Sequence, residues 1–123
     1  PINVSPTQNL IRSLVATGFP YDDFDRYEEY IRFLGTLTKK TRGLRRLGSA
    51  AIDLAYVACG RFDTFYEYGL NAWDVAAGAL IVKEAGGKVT DFKGKEDFVF
   101  GKEILASNSL LHPEMLSQIQ TYF

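Results

Sequence analysis

An aromatic run, Phe62-Asp63-Thr64-Phe65-Tyr66-Glu67-Tyr68-Gly69, is followed a few residues later by Trp73-Asp74-Val75-Ala76-Ala77-Gly78. This succession constrains the fold more than any other feature of the chain. Aromatic and β-branched residues bounded by glycine predict a strand over 61–68. The turn after it delivers a carboxylate to the start of a helix, and the small residues that follow let that helix pack tightly. A strand that turns directly into a closely packed helix is the building unit of layered α/β proteins.

The rest of the chain keeps the same alternation. Leu10 to Ala16 reads as a strand stopped by Thr17-Gly18-Phe19-Pro20. Asp22 and Asp23 mark a helix start. Phe24, Tyr27, Ile31, Leu34 and Leu37 then recur at three- and four-residue spacing, one apolar face of an amphipathic helix ending near Gly43. Arg42 to Leu47 reads as a short strand entering a turn at Gly48-Ser49, and Ala50 to Cys59 as an alanine-rich helix closed by Gly60. Trp73 to Ala85 is a buried helix ended by Gly86-Gly87. Strands over 88–92 and 104–107 flank a polar loop, and Pro113 opens a last helix. The pattern predicts a three-layer α/β/α sandwich with a mixed, mostly parallel sheet. With 123 residues, one domain has enough surface to bury for a substantial core.

Composition removes several classes of function. A formal net charge of −1 argues against nucleic-acid or membrane binding driven by electrostatics. One cysteine excludes an internal disulfide, and one histidine argues against a His-based metal site. No apolar run reaches the roughly 18–20 residues of a membrane span, and no secretory leader opens the chain. A cytoplasmic protein is expected. The chain begins at Pro1, so it is also expected to be a piece of something longer.

Two carboxylates carry the candidate chemistry. Asp74 reads either as a helix N-cap, stabilising by about 1 kcal/mol, or as a magnesium ligand at the carboxyl end of a strand. Glu67 reads either as a solvent-facing strand residue or as an acceptor for the hydroxyl of a polyol. Gly48 reads as a turn glycine. Among other polar candidates, Asp22-Asp23-Phe24-Asp25 is best taken as acidic capping favoured by the helix dipole. Cys59 reads as a small core residue, His112 as a cap of the last helix, and Trp73 as packing beneath the site. Lys39, Lys40, Arg42, Arg45 and Arg46 form a basic cluster at a solvated helix end.

The segments Gly48-Ser49-Ala50, Glu67 and Trp73-Asp74-Val75-Ala76-Ala77-Gly78, separated by 19 and 7 residues, resemble the C-terminal half of the inositol monophosphatase family. Thr17-Gly18-Phe19-Pro20 and Ala55-Tyr56-Val57-Ala58 are similar to its bacterial, SuhB-type branch. The resemblance extends from Leu10 to Asn108 and implies a Mg²⁺-dependent phosphatase of small phosphorylated alcohols, inositol 1-phosphate first among them. By the same resemblance, Asp74 ligates the metal and contacts substrate, Glu67 meets the alcohol, and Gly48, Ser49 and Ala50 line the pocket. The basic cluster falls in a region near a subunit interface in that family, and a homodimer is implied.

The family's N-terminal half supplies a metal-binding glutamate, an Asp-Pro-x-Asp-Gly-Thr motif and a water-activating threonine, none of which is present here. Residues 1–123 therefore read as the C-terminal domain of such an enzyme, catalytically inactive alone and dependent on the other half for its magnesium ligands. Alternatives are a relative acting on adenosine 3′,5′-bisphosphate, fructose bisphosphate or histidinol phosphate, or a non-catalytic dimerisation or partner-binding module.

Overall fold

The computed structural model describes residues 1–19 and 24–123. Its elements alternate as the sequence pattern predicts: β1 (Leu14–Thr17), α1 (Tyr27–Lys40), β2 (Gly43–Arg45), α2 (Ala50–Ala58), β3 (Thr64–Tyr68), α3 (Ala72–Glu84), β4 (Lys88–Thr90), β5 (Glu103–Ser107) and α4 (His112–Tyr122). The strands form one sheet in the order β2-β1-β3-β5-β4. β1 runs parallel to β2 and β3, while β5 is antiparallel to both β3 and β4. Four strands thus share one direction and β5 alone opposes them, because the short chain from β4 to β5 folds straight back.

The alternation of side chains along the strands divides the core in two. Ala16, Phe65, Ile104 and Ala106 pack against Leu54 and Val57 of α2 and Val75, Ala79 and Val82 of α3. Val15, Tyr66, Tyr68 and Leu105 pack against Tyr30, Phe33 and Leu37 of α1 and Met115 and Ile119 of α4. Helices on both faces of the sheet make the three-layer α/β/α sandwich. A Cβ on Gly78 would stand 2.6 Å from Leu54 Cδ1, so the small residues of α3 do bring it hard against α2.

Several expectations are corrected. The strand expected from Leu10 begins only at Leu14, because the Ser13 backbone and hydroxyl both donate to the Leu10 carbonyl, at 2.9 and 2.6 Å. Together they close a 3₁₀ turn over Leu10–Arg12. The apolar face of α1 agrees with the expected one only in its C-terminal half. Leu37 is buried and Leu34 half-buried against the core, whereas Phe24, Tyr27 and Ile31 are exposed and Tyr30 and Phe33 are buried in their place. Both sets have helical spacing, and the aromatic wall of β3 selects between them, with the Phe33 and Tyr66 ring centroids 5.0 Å apart. Asp22 and Asp23, where the helix start is expected, lie outside the described residues. Of the acidic cap expected over 22–25, Asp25 is described and is not the cap, because α1 begins at Tyr27 with Arg26 at the N-cap and no side-chain cap hydrogen bond.

His112 does not cap α4. It is the first residue of that helix, buried, with Nε2 2.8 Å from Thr90 Oγ1 and Nδ1 2.7 Å from Ser107 Oγ. It ties β4, β5 and α4 together, and burial, helped by the charge of Lys88, pushes its pKa down to about 4. Cys59 is half-buried at the C-terminus of α2 rather than in the core. Among the described residues, no helix is long and apolar enough to cross a membrane.

Candidate functional site

Strands β2, β1 and β3 lie side by side and point the same way, so the loops after them, 46–49, 18–19 and 69–71, emerge at one edge of the sheet. Two of those loops lead directly into helices, α2 and α3, whose N-termini therefore face the same space. The carboxyl ends of parallel strands, beneath converging helix N-termini, are where open α/β sheets hold ligands. A cleft of about 420 Å³ opens there, and Gly18, Arg46, Gly48, Ser49, Glu67 and Asp74 are among the residues that line it.

Gly48 has φ +88, a left-handed conformation that suits glycine and turns the chain into α2. Ser49 is the N-cap of that helix, its Oγ accepting from the Ile52 N–H at 3.3 Å. Ala50, the first residue of α2, presents little more than backbone to the cleft. Asp74 is not the N-cap of α3. The helix begins one residue earlier than expected, Asn71 is the cap, and Asp74 stands at the third helical position, where its Oδ2 accepts from the Asn71 N–H at 3.0 Å. This reciprocal contact is one arm of a capping box, and it holds the carboxylate at the cleft wall.

Glu67 lies on the face of β3 shared by Phe65, toward α2 and α3, and is 9% exposed. Burial pushes its pKa up to about 7, the charges of Asp53 and Asp74 push the same way, and Arg46 pulls back. Asp53, on the first turn of α2, is 1% exposed with Oδ1 lacking a hydrogen-bond partner. Burial lifts its pKa to about 6, against the opposing charge of Arg46. The cleft and its floor therefore hold three carboxylates and one guanidinium in close electrostatic contact.

All five residues singled out from sequence, Gly48, Ser49, Ala50, Glu67 and Asp74, line this one cleft. Trp73 does not pack beneath it; the ring is 81% exposed at the rim, since the turn into α3 aims Asp74 inward and its neighbour outward. Arg46 belongs to the cleft and is not merely part of a solvated cluster. Its guanidinium lies over the Phe19 ring, 5.2 Å from the centroid. Asp53 escaped the sequence reading because an acidic residue in the first helical turn is ordinary, and only the tertiary structure buries it. Among the described residues, no group of three or more His, Cys, Asp or Glu side chains is arranged to hold a metal ion.

A family model described as the inositol monophosphatase family matches residues 1–122. The chain is 44% identical to the Nus factor SuhB of Pseudomonas aeruginosa, over 98% of its own length and 45% of the relative's. It is 42% identical to the inositol-1-monophosphatase of Caulobacter vibrioides, over 97% of this chain and 47% of that one. Among solved structures, inositol monophosphatase from Anabaena superposes with a TM-score of 0.89 at 43% identity, covering 100% of this chain and 49% of the other. The chain thus spans about half the length of the relatives it matches.

Proposed function

Because the chain belongs to the inositol monophosphatase family, we propose that its cleft is the alcohol- and metal-facing part of a Mg²⁺-dependent phosphatase acting on a small phosphate monoester. The observation that carries this reading is the meeting of Glu67 and Asp74 in one cleft, at the ends of parallel strands and beside two helix N-termini. A phosphate placed there is attracted by the free N–H groups of those helices. Glu67 accepts a hydrogen bond from a hydroxyl of the alcohol and orients it as the leaving group. Gly48, Ser49 and Ala50 form the wall against which the alcohol rests.

The donor set fits part of a magnesium site. Asp74 offers a carboxylate held in place by the Asn71 N–H, and Mg²⁺ commonly takes one or two carboxylates together with water and phosphate oxygens. When bound, the metal supplies charge stabilisation at the phosphate and a more acidic water. Among the described residues no cluster completes such a site, so further ligands are expected from elsewhere in the full-length protein. In the family to which the spacing is similar, Gly48-Ser49-Ala50, Glu67 and Asp74 stand after the Asp-Pro-x-Asp-Gly-Thr motif. That order supports placing residues 1–123 in the C-terminal half, and the sequence upstream of Pro1 tests it.

The substrate proposed first is inositol 1-phosphate, with adenosine 3′,5′-bisphosphate, fructose bisphosphate and histidinol phosphate as alternatives to be ranked by a substrate panel. The deciding assay is phosphate release by the full-length protein with Mg²⁺, with Asp74→Asn beside the wild type. Loss of a direct ligand should lower turnover on the order of a hundredfold or more, at or above the range for outer-shell partners. Unchanged turnover would remove Asp74 from the metal site. The homodimer expected from the resemblance belongs to the same proposal, and the exposed Phe24, Tyr27 and Ile31 of the α1 region are available to it.

The name of the P. aeruginosa relative, a Nus factor, motivates a second reading as a partner-binding module. Exposed Lys39, Lys40, Arg42, Arg45 and Arg46 are the surface that favours it. Retention of partner binding by Asp74→Asn would separate the two roles.

A further inference from the structure

Gly18 follows β1 directly, and its backbone forms the surface on which the Glu67 carboxylate lies. A Cβ built on Gly18 would fall within the van der Waals envelope of Glu67 Cδ and Oε1, and 2.7 Å from Oε2. The group in the way is the far end of a flexible side chain, not backbone. A methyl group at position 18 would therefore displace the carboxylate rather than break the fold.

The Gly18 backbone is itself held from the opposite face of the sheet. The buried Tyr30 of α1 donates its hydroxyl to the Gly18 carbonyl at 2.8 Å, and Thr17 Oγ1 donates to the Tyr66 carbonyl at 2.9 Å, fixing the end of β1 against β3. Tyr30 is itself fully buried and packed among Tyr66 and Tyr68.

We propose that Gly18 is a specificity-determining position of the cleft, its missing side chain setting the depth at which the Glu67 carboxylate sits and hence which alcohols reach it. This rests on the reading of Glu67 as the acceptor of a substrate hydroxyl. With glycine at 18, the carboxylate lies back against β1 and leaves room for a ring-sized polyol. With alanine it is forced into the cleft, where it occupies the space of the substrate's ring. Gly18 and Tyr30 are positioning residues; neither reacts with the substrate.

The test uses the full-length protein with inositol 1-phosphate, β-glycerol phosphate and p-nitrophenyl phosphate, whose leaving group has no further hydroxyl. Gly18→Ala should raise KM for inositol 1-phosphate roughly tenfold, the scale of one hydrogen bond to a charged acceptor. KM for β-glycerol phosphate should rise less, and that for p-nitrophenyl phosphate should stay within about twofold, with kcat little changed. Shortening the acid in the same background, Gly18→Ala with Glu67→Asp, should recover part of the lost affinity, which a merely structural defect would not allow. Tyr30→Phe, which removes the shorter of the two hydroxyl contacts to the Gly18 carbonyl and leaves only Thr17 Oγ1 at 3.3 Å, should raise KM for inositol 1-phosphate and spare p-nitrophenyl phosphate. This second variant serves if alanine at 18 reduces the yield of folded protein. A raised KM in Glu67→Gln beside an unchanged one in Gly18→Ala and Tyr30→Phe overturns the inference alone. An unchanged KM in Glu67→Gln overturns the reading of Glu67 and the inference with it.

Discussion

Replacing Glu67 by glutamine should make the fold more stable at neutral and alkaline pH while weakening the proposed grip on the alcohol. In the folded protein this carboxyl titrates at about 7 against an ordinary 4.5, chiefly because it is buried and then because Asp53 and Asp74 stand near it. The folded state therefore holds the Glu67 proton more tightly than the unfolded chain does. The favourable contribution is complete below pH 4.5, shrinks as pH rises through 7, and is absent at pH 8. That displacement corresponds to about 3 kcal/mol of destabilisation at pH 8. Glutamine has nearly the same shape and no charge, but its amide still has to be desolvated, so a gain of roughly 1–3 kcal/mol is expected. Urea denaturation followed by far-ultraviolet circular dichroism, in metal-free buffer at pH 8 and pH 4, measures it. Metal must be absent, because a cation beside Asp74 would favour the ionised acid. The reasoning is refuted if the glutamine variant is no more stable than wild type at pH 8, or if its advantage persists undiminished at pH 4. A positive result would identify the site as one where stability is given up for function.

His112 has the opposite sign. Its folded pKa lies near 4 against 6.5, so the stability that it contributes is present above 6.5 and is lost as pH falls toward 4, by about 3 kcal/mol in all. His112→Gln should remove that dependence, seen as a smaller loss of urea resistance than wild type between pH 7 and 4. Gly78→Ala should destabilise by about 1–3 kcal/mol in thermal or urea unfolding, despite alanine's better helix propensity, because the added methyl meets Leu54. The 123-residue chain alone should release no phosphate, bind Mg²⁺ weakly by calorimetry and self-associate in light scattering. Asp74 is the one metal ligand proposed in these residues, and Ile52, Leu80 and Ile81 of α2 and α3 are exposed. Phosphate release by the purified chain would reveal an activating group within these residues.

The elements that sequence could locate are those whose signals are local. Gly86 and Gly87 end α3 where a left-handed residue is needed, and the aromatic run of β3 and the small residues of α3 announce a strand packed beneath a close helix. The gathering of Gly48, Ser49, Ala50, Glu67 and Asp74 was also legible. Each stands just before, at or just after a turn between a parallel strand and its helix, and such turns all emerge at one edge of the sheet. Sequence placed Leu34 and Leu37 on the covered face of α1 but could not choose for its first turns, because Phe24, Tyr27 and Ile31 lead into Leu34 and Leu37 with helical spacing as good as that of Tyr30 and Phe33. Only contact with Tyr66 and Tyr68 decides. Nor could it find His112 between Thr90 and Ser107, the burial of Asp53, or the support that Gly18 gives to Glu67. Those pairings join residues distant along the chain, and the energy of a buried charge or a missing methyl depends on what the fold packs around it. Local chemistry determined the elements and the residues at their ends, whereas the tertiary structure decided which faces are covered and which carboxylates are brought close together.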